Sequence, residues 1–492
     1  MEKERKNKII KISFIILNIL LIIPTIIYYI KNKTVYGFNT YYNFFINPEF
    51  NKIISTIIYI VILIAIFILY LIILKKKDLF KNLKQIILFT IIVSIIIGII
   101  LPFTSSDVFY YMGVGELDGV YKQNPYYVTM REYYEANKEN IDDEILIQGV
   151  NTFWSWTTVV YGPIAQLIFK ICAVLSFKNV TLCLAIYKLV NLIVHIVNCY
   201  LIYKITGKKL FVALYGLNPF ILLEAMANVH NDVIVIFFIL LALYFLLKKK
   251  NLILCILFLS LATGMKYIAL LILPFVILYH YRNEQNIGKR FLKCIIFGLL
   301  YLAFVGLAYL LYFRDFDILF AVLVQTDKYS KSICSVLMQH NETIAKIIKN
   351  IVMAIFVFTY ITICIKTLFT KDIKFRKIIK DYNIGLILFL LALTNSQQWY
   401  LTWLFATIMW QKSKMIKDIL GVSFISELAN SVYMFDCEAP VYDLPYVIVL
   451  FGLSAIWIWF NHKKSNSFIG KGNKNKKIFS KLCKKENQQV YR

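Results

Sequence analysis

The chain is 492 residues long, 60% hydrophobic, and carries a formal net charge of +26. A soluble domain is nearer half apolar, so this composition excludes a soluble enzyme and predicts a polytopic membrane protein built of helices, which satisfy their own backbone groups in lipid. The positive charge does not point to nucleic acid, because the lysines fall in short clusters between apolar runs and in the tail, as in cytoplasmic loops.

In chain order, "MEKERKNK" precedes a first span at 9–30. That run is too long for a signal peptide and lacks a small-residue cleavage site, so the N-terminus is expected in the cytoplasm. Runs at 53–74 and 85–103 follow, each near the ~20 residues that cross a bilayer core. The stretch 104–157 then reverses the charge, with nine carboxylates against three cations, and is expected outside. The run 158–176 is apolar enough to span. Doing so would put "KITGKK" at 204–209 on the outer side, against the charge rule. It is therefore expected as a helix lying at the outer interface, with Lys170 directed to the headgroups. The outer loop with its interfacial helices then covers 104–182.

Further spans are expected at 183–203, 210–226 and 233–247, at a broken pair 252–264 and 266–281, and at 291–312, 346–369, 382–395, 399–411, 416–434 and 444–460. The intervening "KKKD" at 75–78, "KKK" at 248–250 and "KDIKFRKIIKD" at 371–381 are basic and expected inside. Residues 1–461 are read as one membrane domain and 462–492 as a basic cytoplasmic tail, either held near anionic lipid or simply solvated. Most of the nine cysteines lie inside apolar runs and none has a zinc spacing; Cys334 and Cys437 fall in outer loops where pairing is open to them. No repeat of fixed period is visible.

A charge at the centre of a span costs about 2.5–3.5 kcal/mol, so polar residues in or beside spans carry the information. Asp107 sits just past the third span, with Tyr110 and Tyr111 at helical spacings of three and four. It reads as a general base at the membrane boundary, or as a plain loop carboxylate. In "NPFILLEAMANVHND", Glu224, Asn228 and Asn231 form one stripe if helical, extended by His230 and Asp232. This reads as a sugar or phosphate site, or as a polar turn, which leaves Glu224 unexplained. Lys266 follows the helix breaker Gly264 inside an apolar run and reads as a phosphate partner or a snorkelling lysine. In "TNSQQWYLTW", an aromatic belt accounts for Trp399, Tyr400 and Trp403. The amides Gln397 and Gln398 suggest sugar binding. These four places are expected to share one outer pocket.

The segments "DVFYYMGVGELDGVYKQNPYYV", "YGPIAQL", "LNPFILLEAMANVHND", a lysine after a glycine, and "QQWYLTW" occur in the order seen in bacterial GT-C glycosyltransferases. Over about 100–410 the chain resembles the polyprenol-phosphate-mannose-dependent mannosyltransferases. It departs from them at Glu116, where related sequences often carry a basic residue, and in having two spans before the span that leads into the catalytic loop. The resemblance implies an all-α GT-C-type helix bundle with a large first catalytic outer loop and a polyprenyl-phosphate sugar donor, mannose being the first expectation. The acceptor is expected to be a cell-envelope glycan, glycolipid or glycoprotein. Localisation is expected in the plasma membrane, among its lipids, with the active site outside and both termini inside.

On that resemblance Asp107 is the catalytic base. Lys266, then His230, stabilise the leaving phosphate in an inverting displacement. Asn124 and Tyr126 shape the loop around Pro125. Tyr110, Tyr111, Tyr161, Glu224, Asn228, Asn231, Asp232, Gln397, Gln398, Trp399 and Tyr400 contact sugar or acceptor. No cofactor is required, because a monophosphate carries less charge than a pyrophosphate; a divalent metal is compatible but not implied. The rivals are a lipid or sugar transporter, which needs no acidic outer loop, and a ligase using pyrophosphate-linked donors.

Overall fold

The computed structural model describes residues 2–32, 52–76, 78–319, 328–435 and 443–467. The tail beyond 467 and Cys437 lie outside these residues. The protein is 79% helical with no strand among the described residues, and six of its helices are long and apolar enough to cross a membrane. It is an all-α polytopic membrane protein. Their outer faces stay apolar and exposed, as at Leu302, Leu307 and Phe358. On a soluble protein such patches would drive association; here they suit lipid.

The chain divides into two compact units, Met1–Lys328 and Tyr329–Arg492. The hydropathy pattern, read as one membrane domain over 1–461, carries no mark of this division. The first unit holds α1 (Glu2–Leu20), α2 (Ile23–Asn32), α3 (Lys52–Lys75), α4 (Leu83–Gly98), α5 (Asp107–Gly119), α6 (Met130–Asn137), α7 (Glu144–Val150) and α8 (Pro163–Val174). It continues with α9 (Val180–Thr206), α10 (Lys209–Gly216), α11 (Pro219–Leu222), α12 (Asp232–Tyr244), α13 (Leu252–Thr263), α14 (Leu273–His280) and α15 (Ile287–Tyr309). The second unit holds α16 (Ile333–His340), α17 (Glu342–Leu368), α18 (Phe375–Ala392), α19 (Ser413–Phe435), α20 (Asp443–Val447) and α21 (Leu453–Ser467).

Local chemistry sets the breaks. The first span is interrupted at Leu21–Ile22, ahead of Pro24, whose missing N–H cannot continue the ladder. The span expected at 210–226 is bent by 52° between α10 and α11. There the Asn218 side chain accepts from the N–H groups of Phe220 and Ile221, and Pro219 takes the first helical position. The run 399–411 is not the expected span. It forms two 3₁₀ segments, Gln398–Ala406 and Ile408–Trp410, with Thr402 Oγ1 bonded back to the Trp399 carbonyl at 2.7 Å and Thr407 Oγ1 drawn to Asn383 at 2.8 Å.

Helices α5 to α8 pack as one layer. α8 has 12 residues, about 18 Å at 1.5 Å per residue, and is too short to cross a core of about 30 Å. α5 lies against α8 and α7, and glycines allow the approach. A Cβ on Gly113 would stand 2.7 Å from the Gly149 Cα, and one on Gly115 would strike the Phe169 carbonyl. Backbone cannot swing aside as a side chain can, so Gly115→Ala is expected to destabilise this layer by about 1–3 kcal/mol, measurable as a lowered Tm in detergent.

Candidate active site

Asp107 is placed by the segment between α4 and α5. The Leu101 N–H donates to Thr25 Oγ1 at 3.2 Å, and the N–H groups of Phe103 and Thr104 both donate to Asn228 Oδ1 at 3.3 Å. Asp107 is then the first residue of α5, 7% exposed, with its N–H on Ser105 Oγ at 3.2 Å. The carboxylate sits at the positive end of a helix, a setting that suits an anion. The helix continues as the spacing predicted, so the Tyr111 hydroxyl donates to Asp107 Oδ2 at 3.3 Å. The Tyr161 hydroxyl donates in turn to Tyr111 at 3.2 Å, and the Tyr110 ring lies 6.5 Å from that of Tyr161.

The second wall is the end of α11. A π-helical turn, Leu223–Ala227, carries Glu224, whose Oε2 accepts from Asn228 Nδ2 at 3.3 Å. The stripe expected to run on to Asn231 stops here, because the chain reverses at Val229, which has φ +62°. That left-handed conformation is an outlier for a β-branched residue and costs of order 1–3 kcal/mol. It is held from both sides: the His230 N–H bonds the Glu224 carbonyl at 2.9 Å, and Asn191 Nδ2 donates to the carbonyls of Ala225 and His230. The reversal turns the His230 ring between two carboxylates, with Nε2 3.2 Å from Glu224 Oε2 and Nδ1 3.7 Å from Asp107 Oδ2. Asn231 instead precedes α12, only 3% exposed, and neither its Nδ2 nor its Oδ1 has a hydrogen-bond partner among the described residues.

The third wall is the break after α13. Gly264 ends the helix and its carbonyl accepts from the N–H groups of Ile164 and Ala165, docking the start of α8 onto the break. Lys266 follows in extended conformation. Its Nζ donates to both oxygens of Asp232, at 2.8 and 2.9 Å, and lies 5.5 Å from the centre of the Tyr161 ring. The structure thus gathers Asp107, His230, Glu224, Asp232 and Lys266 around the tyrosine pair. Three carboxylates and two basic side chains meet in one buried cluster.

Asn124 and Tyr126 sit beside this cluster. Asn124 Oδ1 accepts the Tyr126 N–H at 3.2 Å across Pro125, and its Nδ2 donates to the Tyr312 carbonyl at 2.8 Å. The Tyr126 hydroxyl reaches the Tyr161 carbonyl at 2.8 Å. Gln397, Gln398, Trp399 and Tyr400 belong to the second unit, where Gln398 accepts from the Tyr446 hydroxyl at 3.0 Å. Lys188 was missed. From inside α9 it donates to the carbonyls of Ile100, Met226 and Ala227, tying the Asp107 segment to the π turn. The signal was present: Lys188, Asn191, His195 and Asn198 recur at helical spacing within an apolar span.

Two other loop carboxylates lie apart from Asp107 in their bonding. Lys170 does not turn to the headgroups; it pairs with Asp118 at 2.8 Å, because Asp118 is buried in the α5–α8 contact, where Gln166 and the Tyr312 hydroxyl also donate to it. Glu116 is fully buried beside Asp143, whose Oδ1 caps α7. Burial, then the Asp143 carboxylate, push its carboxyl up from 4.5 to about 8. Between these values the folded chain keeps a proton that the unfolded chain has released, so stability falls as pH rises from about 4.5 to about 8 and is level above. Glu116→Gln is expected to raise the Tm at pH 8 and leave it unchanged at pH 4.5, as followed by thermal unfolding in detergent.

The family model described as alpha-(1→6)-mannopyranosyltransferase, N-terminal domain, matches residues 29–282, just over half of the chain. No curated protein and no solved structure matches. Asp107, Glu224, His230, Asp232 and Lys266 all fall inside the matched residues, and the chain belongs to this alpha-(1→6)-mannopyranosyltransferase family, a GT-C-type family of membrane mannosyltransferases.

Proposed function

We propose that the protein transfers mannose from a polyprenyl-phosphate donor to a cell-envelope glycan, glycolipid or glycoprotein at the outer face of the membrane. The observation that carries this reading is the buried Asp107 carboxylate at the head of α5, beside the Tyr111 hydroxyl and the His230 ring, with the Lys266–Asp232 ion pair against the neighbouring Tyr161. An acceptor hydroxyl oxygen attacks the anomeric carbon, and Asp107 takes its proton. The bond from that carbon to the phosphate oxygen breaks on the opposite side, so the configuration inverts. The leaving polyprenyl phosphate gains charge that Lys266 and His230 offset. Asn231, with both side-chain polar atoms buried and without partners among the described residues, offers a donor and an acceptor to sugar hydroxyls.

The test uses purified protein in proteoliposomes with radiolabelled polyprenyl-phosphate mannose. Acceptor-dependent label transfer with release of polyprenyl phosphate is expected, and chelation leaves it intact. Activity only with a pyrophosphate-linked donor would assign the chain to the ligase class instead. Sidedness is read by an impermeant thiol reagent on intact cells, with single cysteines at Glu139 and Ser467 in a cysteine-free background. Residue 139 is expected to label and residue 467 to stay protected; the opposite pattern would put the site on the inner face.

A further inference from the structure

The second unit contains a cleft of about 550 Å³ walled by α18, the 3₁₀ segment Gln398–Ala406, α19 and α21. Lys380 and Leu391 both line it. They lie eleven residues apart on one helix, which at 1.5 Å per residue is about 16 Å. The wall between them is apolar, with Ile387, Leu390, Leu404, Met415, Ile419 and Ile458. Lengthwise this is about half of a bilayer's hydrocarbon core, a shape for a chain rather than for a compact solute.

One end is cationic and polar. Lys380, Lys412 and Lys414 line it, together with Asp418. Asp418 is already engaged: Oδ1 takes the Asn461 amide at 2.5 Å and Oδ2 faces His462 Nε2 at 3.1 Å. Gln411 is 4% exposed, lines the same end, and its Nε2 has no hydrogen-bond partner among the described residues. A buried N–H donor without an acceptor costs free energy, and here it stands among three lysines. An anionic oxygen would accept from this amide and lie in the positive field of the lysines. At the far end the Gln397 Oε1 and Gln398 Nε2 are also unpartnered among the described residues. Lys331 near that end lies over the rings of Trp399 and Tyr446 and is not part of the lining. The cleft wall therefore carries its cations at one end only.

We propose that this cleft binds a membrane phospholipid with an anionic headgroup, the phosphate resting on Lys380, Lys412, Lys414 and the Gln411 amide, and one acyl chain lying along the apolar wall. Every residue named for this site belongs to the second unit, and the proposal does not rest on the proposed transfer chemistry. A lipid held there by charge braces α18, α19 and α21 in a membrane whose other lipids exchange freely.

The experiment is native mass spectrometry of the full chain released from detergent. It is titrated with dioleoylphosphatidylglycerol, with dioleoylphosphatidylcholine, and with decaprenyl phosphate. Phosphatidylglycerol is expected to be retained over phosphatidylcholine, and Lys380→Gln/Lys412→Gln/Lys414→Gln to weaken that retention by more than about tenfold, each lysine near a headgroup contributing about fivefold. Gln411→Leu should weaken phosphatidylglycerol and spare phosphatidylcholine. Equal retention of the two phospholipids by the unaltered protein would overturn the proposal. So would a phosphatidylglycerol preference that survives the triple variant. Retention of decaprenyl phosphate that persists in the triple variant but fails in Gln398→Leu would put a head at the opposite end, and the cleft would then belong to an isoprenoid phosphate instead.

Discussion

Asp107→Asn is expected to lower kcat by about 10²–10⁴-fold, the usual loss of a general base, or roughly 3–5 kcal/mol of barrier at 1.36 kcal/mol per decade. Asparagine keeps the size of the side chain, its place at the head of α5 and an oxygen for the Tyr111 hydroxyl, but it cannot take a proton at neutral pH. Donor binding should survive, because the proposed base would serve the acceptor. Glu116→Gln and Asp118→Asn are the controls. Both residues lie on the same helix, but Glu116 faces Asp143 and Asp118 is bound by Lys170 and Tyr312. Their loss should move stability, read as Tm, far more than kcat. An Asp107→Asn enzyme with a normal rate, beside a control that is dead, would move the base to that control.

The second large effect is at Lys266, and the Asp232 pair complicates the simple substitution. Lys266→Met leaves the Asp232 carboxylate buried at 1% exposure without its cation. Stranding one partner of a buried pair costs about 3–5 kcal/mol of stability, so the single variant confounds folding with chemistry. The informative protein is Lys266→Met with Asp232→Asn, which leaves no stranded charge. Its Tm should return toward that of the unaltered chain. Its kcat should stay low by about 10²–10³-fold, the loss seen when one donor to developing negative charge is removed, with KM changed much less. Recovery of kcat in the double variant would limit Lys266 to neutralising Asp232.

Much of the site was legible because charge inside an apolar run is visible in one dimension. Glu224 and Lys266 stand out against their neighbours, and their cost in lipid demands a reason that the structure supplies. Asp107 with Tyr111 four residues on was readable from helical spacing alone, and the 3.3 Å hydrogen bond follows from it. The same logic applied to 183–203 would have exposed Lys188 and Asn191.

The sequence by itself determined the class of protein, the short apolar helix α8, and the break at Gly264, since each rests on composition, periodicity or a single local residue. The tertiary structure alone decided who meets whom. His230 lies between Asp107 and Glu224 only because the chain reverses at Val229, and a β-branched residue gives no sign of a left-handed backbone. Lys266 and Asp232 are 34 residues apart, and Lys170 and Asp118 are 52 apart; no periodicity links such positions. The run 399–411 has the hydropathy of a span yet winds as 3₁₀ segments, because apolar content does not distinguish the two helices and the deciding bonds, Thr407 to Asn383 among them, come from elsewhere in the chain. Local patterns fix what a segment can be, and packing between distant segments fixes which side chains share one buried space.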